Sequence, residues 1–320
     1  MIWAVLILIG IAIAGYAGLL LYTRFDIESV RPELPEPTAV LQLPSEKGLA
    51  RELNVIETAV QAMPRSAVID PGLDPDPDAP YVMTHPAFPV TWPDGRILLV
   101  DAGMDADTAV SFGAPLATFA GAEPIRPLAS TAERLGDRLA TVDGVVFTHL
   151  HQDHVDGMQE LCAGRSKPLR VFQTPLQADR SNFTTFPGRT LLDDLECVEF
   201  VRLNEGPMAA VPGFPGVRVV NAAGHTPGSQ VVIISVAGAG ETRTFVIAGD
   251  VVNHRAAIDE NLPKPTLYRT LLVPESEPRL ETVRRWLKNL GDQGLEIVAS
   301  HDRASIEKAR IAPFPAENSR

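Results

Sequence analysis

Thr148-His149-Leu150-His151-Gln152-Asp153-His154 decides how the rest of the chain is read. Three of the seven histidines and one carboxylate fall in this stretch, directly after the apolar run Val145-Val146-Phe147. That run reads as a short buried strand, because β-branched and aromatic residues lie between Gly144 and the polar cluster. Alternate side chains of an extended segment share a face, so His149 and His151 can point at one ion. Asp153 and His154 follow where the chain turns, and can serve a second ion nearby. Imidazole and carboxylate suit zinc and its neighbours without a thiolate. A solvated polar loop is the plainer alternative, but burying four such groups without partners is costly.

Further strands end in residues of the same kind. Arg96-Ile97-Leu98-Leu99-Val100 follows the turn Trp92-Pro93-Asp94-Gly95 and runs into Asp101-Ala102-Gly103. An acid at that point suits the orienting of a ligand imidazole from behind. Val217 to Val220 precedes Gly224-His225-Thr226-Pro227-Gly228, whose glycines and proline hold a tight turn presenting His225. Thr244 to Ile247 leads into Ala248-Gly249-Asp250, and Leu295 to Val298 delivers Ser300-His301-Asp302. Ser276 to Leu290 has helical spacing, with Gly291 as its stop. Val155 to Cys162 is expected as one helix. Gln173 to Asp194, with Phe183 and Phe186 among polar residues, is either a loop covering substrate or an ordinary insertion.

The 320 residues allow one large α/β domain plus extras, and 45% hydrophobic content excludes global disorder. A net charge of -12 repels phosphate backbones and weighs against nucleic acid as a substrate. Cys162 and Cys197 are the only cysteines; they can form one bond or none. Residues 1–23 carry no charge, and Ile2 to Tyr22 is long enough to cross a bilayer. The expectation is an uncleaved single-pass anchor. A signal peptide is the rival, with Ala12-Ile13-Ala14 as a small-x-small site but no Lys or Arg before the apolar run. Arg24 and Arg31 weakly favour a cytoplasmic domain without settling the side. Residues 24–48, with Pro32, Pro35, Pro37 and Pro44, read as a semi-rigid spacer. The domain then spans 49–312, and 313–320 is a tail.

His149, His151, Asp153, His154, His225, Asp250 and His301 together resemble, in order, the two-metal ligand set of the metallo-β-lactamase superfamily. The likeness covers about residues 49 to 312. Trp92 through Asp105, Ala248-Gly249-Asp250 and Ser300-His301-Asp302 are most similar to the N-acyl-homoserine lactonase branch. The resemblance implies an αββα sandwich, here preceded by one transmembrane helix. It implies two zinc ions, other divalent transition metals being possible: one held by His149, His151 and His225, the other by Asp153, His154 and His301. Asp250 bridges them. It implies a hydrolase whose zinc-held hydroxide opens a lactone or cleaves an ester, with Asp153 taking the proton and Asp101 and Asp302 supporting ligands from behind. Those lactonases carry a tyrosine shortly after the bridging aspartate, where this chain has Val251-Val252-Asn253-His254. Asn253, His254 or Tyr268 can take its place. The alternatives are an arylesterase or organophosphate hydrolase, a glyoxalase II-like thioesterase, a mono-iron persulfide dioxygenase and a metal sensor without turnover. The substrate is expected to be a small molecule, and no oligomeric state follows.

Overall fold

The computed structural model describes residues 2–43, 46–238 and 240–315. An eight-stranded sheet contains β1 (Glu52–Pro64), β2 (Pro80–Thr91), β3 (Ile97–Val100), β4 (Arg126–Pro127), β5 (Val142–Val146), β6 (Leu169–Gln173) and β7 (Val198–Arg202). A five-stranded sheet contains β8 (Ala209–Ala210), β9 (Val217–Asn221), β10 (Gln230–Ala237), β11 (Thr242–Ile247) and β12 (Glu296–Val298). A last short strand, β13 (Ala312–Pro313), returns to the first sheet and pairs in parallel with β1.

Strands buried on both faces read as near-continuous Val, Ile and Leu, and period two sorts their side chains. Leu98 and Val100 of β3 meet Val232, Ile234 and Ile247 between the sheets. Their neighbours Ile97 and Leu99 face outward onto Leu135, Val155, Met158 and Leu161. On the other side Val231, Ile233 and Val246 pack under Leu280, Val283, Leu287 and Leu290 of the helix Glu277–Asp292. The layers are therefore helix, sheet, sheet, helix.

Three expected elements differ. Val155 to Cys162 is two helices, Gln152–Val155 and Met158–Cys162. Gly157 lies so close to the Ala102 carbonyl oxygen that a Cβ would sit 2.3 Å away, and its N–H bonds Gly103 O instead of continuing a helix. The spacer is not held away from the domain. Glu33 pairs with Asn221, the Trp286 indole donates to Pro35 O at 2.8 Å, and Val40 is buried. At the other end the domain runs past residue 312, because Pro313 is in register with Val55 and Phe314 is buried; residues 316–320 of the expected tail lie outside the described residues. Cys162 and Cys197 are joined in a disulfide.

The helix Ile2–Ser29, here α1, is long and apolar enough to cross a membrane, and none of its most apolar window is buried. Its last turns dock, with Thr23, Asp26 and Ile27 buried against the domain.

Candidate metal centre

Parallel pairing brings the chemistry to one edge. Val100 of β3 is opposite Val146 of β5, and Ile247 of β11 is opposite Val298 of β12. Asp101, Thr148, Ala248 and Ala299 therefore leave their sheets at the same end, bringing Asp101, His149, Asp250 and His301 to that edge. Gly249 makes the turn after β11 possible, since it holds φ +56° and a Cβ there would lie 2.7 Å from Thr148 Cβ. The loops of the two sheets are stitched together there. Gln230 N donates to Thr148 O at 2.7 Å, and Thr84 N donates to His301 O at 3.0 Å.

Five imidazoles and two carboxylates converge in this edge. His225 Nε2 is 3.2 Å from His149 Nε2 and 3.1 Å from His151 Nδ1. His154 Nε2 is 3.2 Å from His301 Nε2. Asp153 Oδ2 lies 3.5 Å from each of those two nitrogens. Asp250 faces both groups: Oδ1 is 2.9 Å from His301 Nε2, and Oδ2 is 3.7 Å from His225 Nε2.

The opposite nitrogen of every ring is committed outward. Nδ1 of His154 donates to Asp101 Oδ2 at 2.9 Å, that of His301 to Thr84 O at 2.7 Å, and that of His225 to Glu275 Oε1 at 2.5 Å. His151 Nε2 meets the Thr184 hydroxyl at 2.9 Å, and His149 Nδ1 meets the Thr148 hydroxyl at 3.2 Å. Such partners fix the tautomer, so the inward nitrogens present lone pairs to one another. Lone pairs at about 3 Å repel unless a cation lies between them.

The electrostatics agree with that demand. Burial holds His149 and His151 well below the usual histidine range, in the neutral form that a metal needs. Burial would also lower His154, but Asp153 and Asp101 outweigh it and hold this group well above that range. Asp250 would be raised by burial, yet His301, His149 and His154 keep it well below the carboxylate range. The carboxylates thus draw a positive charge into the nest, and a dication at the inward nitrogens satisfies both requirements. The donor set fits a divalent metal.

Asp101 stands where the sequence calls for an orienting acid, and it also accepts from Thr148 N and the Thr148 hydroxyl at 2.7 and 2.9 Å. Asp302 is not beside a ligand ring. Its carboxylate accepts from Ser305 N and Arg255 N, capping the helix Arg303–Lys308. Two supports have no counterpart in the sequence reading. His85 on β2 holds Nδ1 3.1 Å from Asp153 Oδ2, the oxygen turned to the nest. Behind His225, buried Lys264 donates to Glu275 Oε1 and to Asp250 O, both at 2.7 Å. Neither residue belongs to a spaced motif; a fully buried Lys–Glu pair leaves no local sequence signal.

A cavity of about 350 Å³ opens over the nest, with Asp153, Asp250, His85, His151 and His301 at its floor. Its walls are apolar, with Val68, Met83, Phe112, Leu116, Leu272 and Val273. Asn253, Tyr268 and Phe183 line it. His254 does not: its Nδ1 accepts from Ala256 N and its ring lies against Tyr81. Phe186 starts the helix Phe186–Asp194 and points to solvent, 61% exposed. The stretch Gln173 to Asp194 is helical at both ends, and its middle supplies the cavity wall through Phe183 and Thr184.

A family model described as "Beta-lactamase superfamily domain" matches residues 96–275. Among solved structures, an N-acyl homoserine lactone hydrolase with bound N-hexanoyl-L-homoserine superposes with a TM-score of 0.59 at 15% identity, covering 83% of this chain and 98% of that one. An AiiA variant from B. thuringiensis with N-decanoyl-L-homoserine at its active site gives 0.59 at 16% identity, over 83% and 98%. A quorum-quenching N-acyl homoserine lactone lactonase gives 0.57 at 14%, over 84% and 98%. No curated protein matches by sequence.

Proposed function

The chain belongs to the beta-lactamase superfamily, and from that premise we propose a membrane-anchored metallohydrolase that opens an acyl lactone or cleaves a carboxylic ester. The observation that carries the reading is Asp250, one oxygen toward His154 and His301 and the other toward His225. His149, His151 and His225 would hold one zinc ion and Asp153, His154 and His301 a second, with Asp250 shared. When bound, such a pair supplies a hydroxide nucleophile near neutral pH and polarises a carbonyl.

The chain's own groups divide the remaining work. Asp153 lies at the cavity floor and takes the proton released on attack, while His85 donates to its inward oxygen and keeps it in place. Tyr268 stays protonated: burial raises its phenol well above the ordinary range, and Glu275, Asp250 and Asp153 push it further. A neutral phenol on the cavity wall donates a hydrogen bond to the reacting carbonyl oxygen, the task the lactonase branch gives to a tyrosine placed elsewhere. The apolar walls exclude water and favour an acyl chain, and the neighbouring folds bind N-acyl homoserines. Among the described residues, those lining the cavity include neither lysine nor arginine, which disfavours glutathione thioesters and phosphate monoesters.

Metal analysis of the purified full chain, followed by a panel of lactones, aryl esters, thioesters and phosphotriesters, tests this. We expect close to two zinc ions per chain and turnover on acyl lactones or esters. A single bound iron, or no turnover on any lactone or ester, overturns it.

A further inference from the structure

The cavity described above has its outer wall on the segment that touches the membrane helix. Residues Tyr268–Leu272 form one π-helical turn, and Tyr268, Leu272 and Val273 line the cavity. The other side of the same segment rests on α1: the Tyr16 hydroxyl donates to Leu271 O, and Ala17, Leu20, Leu21 and Arg24 form a cleft with Arg269, Thr270 and Pro274.

The level of that contact matters. Arg24 is the first charged residue of the chain. Tyr16 is eight residues earlier, about 12 Å along a helix at 1.5 Å per residue. Side chains of a helix lean toward its N-terminus, so the Tyr16 hydroxyl does not reach upward out of the apolar stretch. Leu271 therefore lies beside the last two turns of the span. The orientation is held by buried Ile27, by Arg180 with Asp26 at 3.1 Å, and by Arg279 on the carbonyls of Ile27 and Glu28. At this level the segment presents Leu267, Leu271 and Leu272, exposed by 70, 47 and 55%. Three exposed leucines within six residues are costly in water and stabilising in lipid.

We propose that the mouth of the cavity is set in the bilayer surface and admits its substrate sideways from the lipid, an amphiphile with a long acyl chain and a lactone or ester at its polar end. The apolar walls take the chain while the floor meets the polar end, which matches the order in which the two ends leave a membrane. The inference rests on the hydrolase reading for its chemistry, but not for the placement of the rim.

The test uses the full chain in phosphatidylcholine vesicles. Because the native cysteines are paired, Leu267→Cys accepts a bimane label alone. Asp94→Cys serves as the control, since Asp94 precedes β3 and lies at the end of the sheet away from the site. Doxyl-labelled phosphatidylcholine is expected to quench the label at 267 and spare the one at 94. The double variant Leu267→Ser/Leu271→Ser is expected to raise KM for vesicle-borne 4-nitrophenyl dodecanoate about tenfold or more. Its turnover of water-soluble 4-nitrophenyl acetate stays unchanged. A label at 267 quenched no more than that at 94 overturns the proposal whatever the turnover, and so does an equal loss on both esters. Quenching at 267, together with a wild type that cleaves neither ester, supports the membrane-set rim and places the failure in the hydrolase reading.

Discussion

His225 holds one nitrogen toward the imidazoles of His149 and His151 and the other against Glu275, whose same oxygen receives the ammonium of Lys264. Burial would raise the Glu275 carboxyl, but Lys264 and His225 outweigh it and keep it ionised. A charged acceptor makes His225 a better electron donor and fixes its ring. Glu275→Gln should therefore weaken metal binding about 10–100-fold. It should also cost about 3–5 kcal/mol of stability by stranding the Lys264 charge. Adding Lys264→Met should restore the melting temperature without restoring metal affinity, read by calorimetry and metal titration. Wild-type affinity in Glu275→Gln would remove this role. Tyr268 gives the second test at this scale. Tyr268→Phe should lower kcat on lactones and esters about 10²–10³-fold with both ions retained, whereas His254→Ala, whose ring packs on Tyr81 and does not line the cavity, should match the wild type. Full activity in Tyr268→Phe would return the search to Asn253, which lines the same cavity.

The turns after the strands carry the site, and one of them can be tested as an element. Gly249→Ala must hold φ near +56° and place a methyl 2.7 Å from Thr148 Cβ. The backbone cost is about 1–2 kcal/mol, and the displaced Thr148 would drag the hydroxyl that meets His149 and the carboxylate of Asp101. A lower melting temperature with weakened binding of both ions is expected; wild-type metal affinity in the Gly249→Ala protein would show that the turn tolerates change. These strand ends are readable in the sequence because each combines a doubly buried apolar run with a polar residue that has no other reason to follow it. The two longest strands are not. β2 contains Pro80, Pro86 and Pro89, and prolines argue against a strand interior. Pro86 is accommodated because it lies opposite Glu57, where the register with β1 shifts. Without β2, nothing in the sequence places His85, although it faces Asp153 in the folded chain. The helix break at Gly157 is equally invisible, since its cause is the Ala102 carbonyl, distant in sequence.

Across the whole molecule, α1 is both the apolar span and a docked part of the domain, and the two roles separate along its length. Residues 2–21 are largely exposed, while Thr23, Asp26 and Ile27 are buried. The following stretch adds backbone pairing of Glu33 with Asn221, the Pro35 carbonyl under Trp286, buried Val40, and Glu46 beside Arg218. Residues 24–43 and 46–48 therefore brace the five-stranded sheet and the helix Glu277–Asp292, although proline content alone suggests a spacer standing clear of both. Two truncations distinguish these functions. Removing residues 1–22 should give a soluble protein with unchanged metal content, because the docked turns remain. Removing residues 1–48 should preserve the ligands but strip Ile27, Val30 and Val40 from the core, each worth about 1.5–3 kcal/mol. It also leaves the Trp286 indole and the Arg279 guanidinium without their acceptors, and Arg218 without Glu46. The longer truncation should melt several degrees below the shorter one at equal metal occupancy. Identical melting of the two would mean that residues 24–48 contribute nothing to the domain, and that the contacts along this stretch are incidental to its stability.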